Sequence, residues 1–118
     1  MKKRITITIL FVLLFLVIGG IWHSSRNILV VENISGKIVH QVTITVCGES
    51  YQLEQLPPDE RRRVVFDVKG DSGFQVDVSF DDGSKVSGSF GYVTGGAGAY
   101  NNKAKVKIYS ERIEGIQE

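Results

Sequence analysis

The sequence predicts an all-β protein: a single seven-stranded antiparallel β-sandwich preceded by one N-terminal transmembrane helix. Three observations predict it. After residue 22 no segment keeps a 3.6-residue apolar period for three turns, whereas several keep a period of two. Clusters of Gly, Asn, Asp and Pro recur between these segments, at spacings of about eight to twelve residues. Residues 5–22 form an apolar run of eighteen residues without a charge. At 118 residues the chain has room for one domain.

The apolar run comes first. As a helix rising about 1.5 Å per residue it spans roughly 27 Å, close to the thickness of a bilayer's hydrocarbon core. Trp22 stands where an interfacial aromatic anchor belongs. Of the chain's 14 Lys and Arg residues, Lys2, Lys3, Arg4 and Arg26 fall in residues 1–27, which hold none of its 13 acidic residues. Three of those cations precede the run and one follows it. The positive-inside bias therefore places residues 1–4 in the cytoplasm and residues 23–118 outside it, in the periplasm of a cell whose inner membrane holds the anchor. A cleaved signal peptide shares the basic start and the apolar core. The run is long for one, and no Ala-x-Ala site follows it. Beyond residue 27 acids outnumber bases, so the domain lacks the basic excess that phosphate neutralisation demands, and nucleic acid is not an expected partner.

The remaining elements follow in order. Residues 23–27 are a polar linker. Residues 28–32, apolar up to Glu32, form a first strand, and Asn33, Ser35 and Gly36 supply a turn. Residues 37–47 form a second strand, with Ile38, Val42, Ile44 and Val46 facing one way and Thr43, Thr45 and Cys47 the other. Gly48 breaks it. Residues 50–53 form a short third strand with Tyr51 and Leu53 on one face. Pro57-Pro58 cannot sit in a central strand, so residues 56–60 turn. Residues 62–68 alternate with Val64, Phe66 and Val68 inward, and residues 70–73 turn again. Phe74, Val76, Val78 and Phe80 then alternate with Gln75, Asp77 and Ser79. Asp82-Gly83 is a strong hairpin signal, and Val86 and Phe90 mark the return strand. A glycine-rich stretch, residues 91–103, leads to the seventh strand, where Ala104, Val106 and Ile108 alternate with Lys103, Lys105 and Lys107. Outward lysines discourage edge pairing, which makes this an edge or near-edge strand. The sandwich thus occupies residues 28–109, and residues 110–118 form a charged tail expected to fray.

Several of these residues carry a resemblance. Asn33-x-Ser35-Gly36 with Val42 and Ile44 downstream, Leu56-Pro57-Pro58-Asp59-Glu60, then Phe66, and the Asp82-Gly83 hairpin followed by Phe90-Gly91-Tyr92-Val93-Thr94-Gly95, resemble small bacterial membrane-anchored proteins with an extracytoplasmic immunoglobulin-like β-sandwich domain. The resemblance covers residues 28–109 and rests on turn and core positions. It implies the fold and an envelope location, and it carries over no catalytic residue.

No catalytic constellation is legible. His40 and Cys47 share a strand seven residues apart, a separation of roughly 23 Å on opposite faces, which rules out a nucleophile–base pair. Cys47 is the only cysteine, so no intramolecular disulfide forms. Two histidines, one cysteine and Met1 do not supply a copper or zinc set. Asp71, Asp77, Asp81 and Asp82 offer oxygen ligands near two turns, in a spacing unlike a calcium loop. The glycine-rich stretch lacks the third glycine, the Lys-Ser/Thr pair and the following helix of a phosphate loop. No cofactor and no metal are expected.

The expectation is therefore a non-enzymatic envelope protein whose sandwich contacts another protein near the bilayer. Tyr92, Val93, Thr94 and Tyr100 are the candidate contacts, because tyrosine among glycines suits adaptable protein recognition. Arg61, Arg62 and Arg63 are a candidate contact for anions such as lipid headgroups. The alternative is a tethered module binding a small ligand or an ion.

Overall fold

Eight strands follow one another in the computed structural model: β1 (Asn27–Asn33), β2 (Val39–Val46), β3 (Glu49–Leu56), β4 (Arg61–Phe66), β5 (Ser72–Phe80), β6 (Lys85–Val93), β7 (Lys103–Ile108) and β8 (Ile113–Gln117), with a single 3₁₀ turn, Gly96–Ala99, between β6 and β7. The structure describes residues 26–118, so the anchor expected at residues 5–22 and the basic end at residues 1–4 lie outside the described residues. Among the described residues no helix is long and apolar enough to cross a membrane.

The strands build two four-stranded sheets, ordered β4-β1-β7-β8 and β3-β2-β5-β6. Alternation decides which side chains lie between them. Leu29 and Val31 of β1, Phe66 of β4, and Val106 and Ile108 of β7 point inward from the first sheet. Val42, Ile44, Phe74, Val76, Val78 and Phe80 meet them from the second. Burying a side chain of this size contributes about 1.5–3 kcal/mol. Phe74 joins the layers, packing edge-on against Phe66 at 5.2 Å and stacking on Phe90 at 5.0 Å between ring centroids.

Four expectations are corrected. The sandwich has eight strands rather than seven, because β8 forms within the segment expected to be a frayed tail. It is not wholly antiparallel, since β1 pairs with β7 in parallel, from Ile28–Lys103 to Asn33–Ile108. Asn27 is the first residue of β1 rather than the end of a linker. Ile38 does not face the core: a register shift between Val39 and Gln41 turns Val39 inward and leaves Ile38 46% exposed.

β8 is held by contacts that leave no apolar alternation. Ile113, Gly115 and Gln117 share its inward side, with the Phe90 ring lying over Gly115. Gln117 acts as a bridge between sheets: its Nε2 donates to the Tyr92 carbonyl at 2.5 Å and its Oε1 accepts from the Tyr92 amide at 2.8 Å.

Candidate functional site

β1 gives the sandwich two distinguishable ends. At the end where β1 begins stand the last residue of β4, the first of β7, the last of β8 and the glycine-rich loop. Asn27 organises this end. Its side chain is buried, donates from Nδ2 to the Ala99 carbonyl at 2.8 Å, and accepts at Oδ1 from the Asn102 amide at 3.0 Å and from Asn102 Nδ2 at 2.9 Å. Asn102 Nδ2 also donates to the Gly98 carbonyl. Asp71 accepts from the Gly95 amide at 3.0 Å. A buried amide with its partners satisfied fixes what it touches, because breaking the set strands desolvated polar groups.

The loop's glycines serve the chain's own packing. Gly91 has φ +65°, beside the register shift between Ser72 and Phe74, and a Cβ there would stand 2.9 Å from Gln117 Oε1. Gly98 lies so close to Thr94 that a Cβ would meet its Oγ1. The loop is a folded, braced connection.

This bracing separates the four candidate contacts. Tyr92 and Tyr100 are 56% and 69% exposed, and Thr94 is exposed as well. Val93 is only 1% exposed: the bulge at Gly91 resets the alternation and turns it into the core, so it makes no surface contact. The Asp71 carboxylate beside Tyr92 pushes the tyrosine hydroxyl above its usual range. Tyr100 stands over an open depression of about 680 Å³ lined also by Arg26, Val65, Phe66 and Lys69. Tyr92 is not part of its lining.

The arginine run also divides. β4 begins at Arg61, which pairs with Glu32 in register, so the run lies at the end of β4 remote from Asn27. Arg62 turns edgeward: its Nη2 donates to the Gln55 carbonyl at 2.7 Å, its Nη1 donates to the Glu54 carbonyl, and its Nε faces Glu60 at 3.5 Å. It seals the β3–β4 corner, with its guanidinium engaged by the β3 carbonyls and Glu60. Arg61 and Arg63 point out from the first sheet, and Arg63 makes no ion pair among the described residues.

The outer face they join was not legible as a unit. Its three rows are Arg61–Glu32–Lys107–Glu114, Arg63–Val30–Lys105–Ile116, and Val65–Ile28–Lys103. Ile28 and Val30 form the floor of an open groove of about 500 Å³, walled by Arg61 and Arg63 on one side and Lys103 and Lys105 on the other. Glu32 is the carboxylate inside this basic field. Lys105 Nζ stands 3.0 Å from its Oε2 without the alignment of a good hydrogen bond, so the contact is ionic. Lys105 first, then Arg61 and Lys107, hold the Glu32 carboxyl below its usual range against the opposing pull of desolvation.

The remaining candidates stay apart. His40 and Cys47 lie near opposite ends of β2, with His40 Nδ1 against Gln55 and Asp81 and Cys47 in the turn after the strand, its thiol donating to the Gly70 carbonyl at 3.3 Å. Asp71 and Asp81 flank opposite ends of β5, so the four aspartates do not converge. Among the described residues no group of three or more His, Cys, Asp or Glu side chains is placed to hold a metal ion. Asp82 accepts from the Ser84 hydroxyl and amide and faces Lys37, which lowers its pKa to about 2.

No protein-family model and no curated protein matches this chain. A solved structure is similar in fold: the NMR structure of a protein from Eubacterium rectale, with a TM-score of 0.60 at 14% sequence identity, covering 80% of this chain and 91% of that one.

Proposed function

We propose that this chain is a non-enzymatic single-pass membrane protein of the cell envelope, with residues 1–4 cytoplasmic and an extracytoplasmic, immunoglobulin-like sandwich that makes protein–protein contact beside the bilayer. The observation that carries it is the pair of exposed tyrosines, Tyr92 and Tyr100, held at the end of the sandwich where the chain enters from residues 5–22. The Asn27 and Gln117 hydrogen bonds brace the loop between them. An aromatic side chain on a braced loop loses little freedom on binding, which favours it as an anchor for a partner. The chain between Trp22 and Asn27 spans at most about 17 Å when extended. That short reach favours a partner in or next to the membrane.

Two measurements test this. A reporter that works only outside the cytoplasm, fused after Glu118, is expected to be active; activity confined to a cytoplasm-specific reporter would contradict the topology. A photo-crosslinking residue at Tyr92 or Tyr100 in living cells is expected to trap one discrete envelope protein, and no protein adduct from either position would contradict the contact.

One observation favours the alternative of a tethered ligand-binding module. The depression beneath Tyr100 combines a phenol, the Val65 and Phe66 side chains, the cation Arg26, the Glu49-paired Lys69 and the carboxylate of Asp67. Its size falls within the range of small-molecule sites, about 300–1,000 Å³. A small aromatic acid is the matching ligand chemistry, and chemical-shift changes confined to these residues would support it.

A further inference from the structure

We infer that the outer face of the β4-β1-β7-β8 sheet is a lipid-binding surface that lies flat on anionic headgroups of the membrane holding residues 5–22. The inference rests on the anchored reading above for the presence of that membrane, and goes beyond it by assigning the face and the chemistry it meets.

Three observations carry it. The face carries more cations than acids, five against three. Arg61, Arg63, Lys103, Lys105 and Lys107 project from it against the carboxylates Glu32, Glu114 and Glu118. Glu32 is already neutralised by Lys105 and Arg61, while Arg63 makes no ion pair among the described residues. The same face is apolar between its charges. Val65 is 51% exposed, Ile116 is exposed, and Ile28 and Val30 line the groove floor. Cations interleaved with aliphatic side chains match a headgroup region, where charge meets phosphate and methyl groups reach the acyl boundary. Finally, the face continues directly from the expected anchor. Arg26 precedes Asn27, Ile28 is the first outward residue of β1, and Lys103 Nζ donates to the Arg26 carbonyl at 2.7 Å.

The tether decides between a lipid surface and an acidic protein. A span of at most about 17 Å holds the face at high effective concentration beside the headgroups, so even weak contacts per side chain are populated. A sheet face with a shallow groove fits a plane better than it fits a protruding partner. Lying this way, the sandwich turns the β3-β2-β5-β6 sheet away from the membrane and keeps Tyr100 at the bilayer edge.

The test uses the full chain reconstituted into vesicles of phosphatidylcholine alone or of phosphatidylcholine with phosphatidylglycerol, followed by lysine labelling and mass spectrometry. Labelling of Lys103, Lys105 and Lys107 is expected to slow roughly threefold or more in the anionic vesicles, with Lys37 and Lys85 unchanged as internal references, and high salt should reverse the effect. Arg63→Glu is expected to remove much of the protection; it breaks no ion pair of the fold among the described residues. Face lysines that label equally in both compositions, or protection independent of anionic lipid, would overturn the inference. Flotation with the vesicles is scored separately. A chain that fails to float with neutral vesicles, yet floats with anionic ones and protects its face lysines, would refute the anchor while supporting the lipid-binding face.

Discussion

The two sheets are alike inside and unlike outside. Both send alternating aliphatic and aromatic side chains into one shared core. Outward, β3-β2-β5-β6 presents mainly the hydroxyls and amides of Thr43, Thr45, Gln52, Gln75, Ser87 and Ser89, with the charges of Glu54, Asp77 and Lys85 among them. The outer face of β4-β1-β7-β8 carries Val65, Ile116 and five cations against the three carboxylates of Glu32, Glu114 and Glu118. Inner faces alone would give a stable sandwich, and they make no distinction between the sheets. The proposed contacts therefore draw on the outer residues of one sheet and the loop at its end, and not on the shared core. Mutations should separate the two: inner positions alter stability equally in both sheets, and outer positions alter contact in one.

The largest expected effects test the inner equivalence. Phe74→Ala in the second sheet removes the ring that touches both Phe66 and Phe90 and should cost about 3–5 kcal/mol; Leu29→Ala in the first should cost about 2–5 kcal/mol, both read from urea unfolding. A cost confined to one sheet would mean that the layers do not share a core. Gly115→Ala comes next. A methyl group there would sit 2.0 Å from Phe90 Cγ, so β8 must shift, at about 1–3 kcal/mol. Asn27→Ala should cost about 1–3 kcal/mol and speed amide exchange at Asn102, because three side-chain hydrogen bonds to the loop are lost together.

These positions show what the sequence made legible. β5 was readable because Phe74, Val76, Val78 and Phe80 carry the period openly. β8 was not: its inward positions include a glycine covered by Phe90 and a glutamine bonded to Tyr92, so packing there depends on a partner strand distant in sequence. Ile38 misled because one bulge exchanges the two faces, and Val93 misled for the same reason at Gly91. The parallel β1–β7 pair was invisible, since alternation carries no strand direction. Of the candidate residues, Tyr92 and Tyr100 were readable as exposed aromatics at the ends of the glycine-rich stretch, although Tyr92 belongs to the end of β6. The division of Arg61 and Arg63 from Arg62 follows from period two, whereas Arg62's role at the β3 carbonyls follows only from the corner it folds into.

Acid should probe the charged outer residues. Glu32 and Glu49 have carboxyls held below their ordinary value of 4.5, by Lys105 and Lys69 first, and Asp82 is lowered from 3.8 to about 2, by Ser84 first. A depressed folded-state pKa gives stability that is complete above the unfolded value and lost as pH falls through the folded one. Stability is therefore expected to decline below about pH 4.5, with the Asp82 share disappearing between pH 3.8 and about 2. Glu32→Gln should flatten the upper part of that decline in a denaturant series against pH. The smallest stability effects belong to Thr43→Ala and Val65→Ala, each within about 0.5 kcal/mol, since neither outward side chain fills the core.

Those last two positions differ in contact even though they match in stability. A photo-crosslinking residue placed singly at Val65, Tyr100, Thr43 and Gln52 of the full chain, activated in living cells, compares the outer faces directly. The account predicts adducts to lipid or envelope protein from Val65 and Tyr100 and none from Thr43 and Gln52. Adducts of equal yield from all four positions, or confined to Thr43 and Gln52, would contradict it.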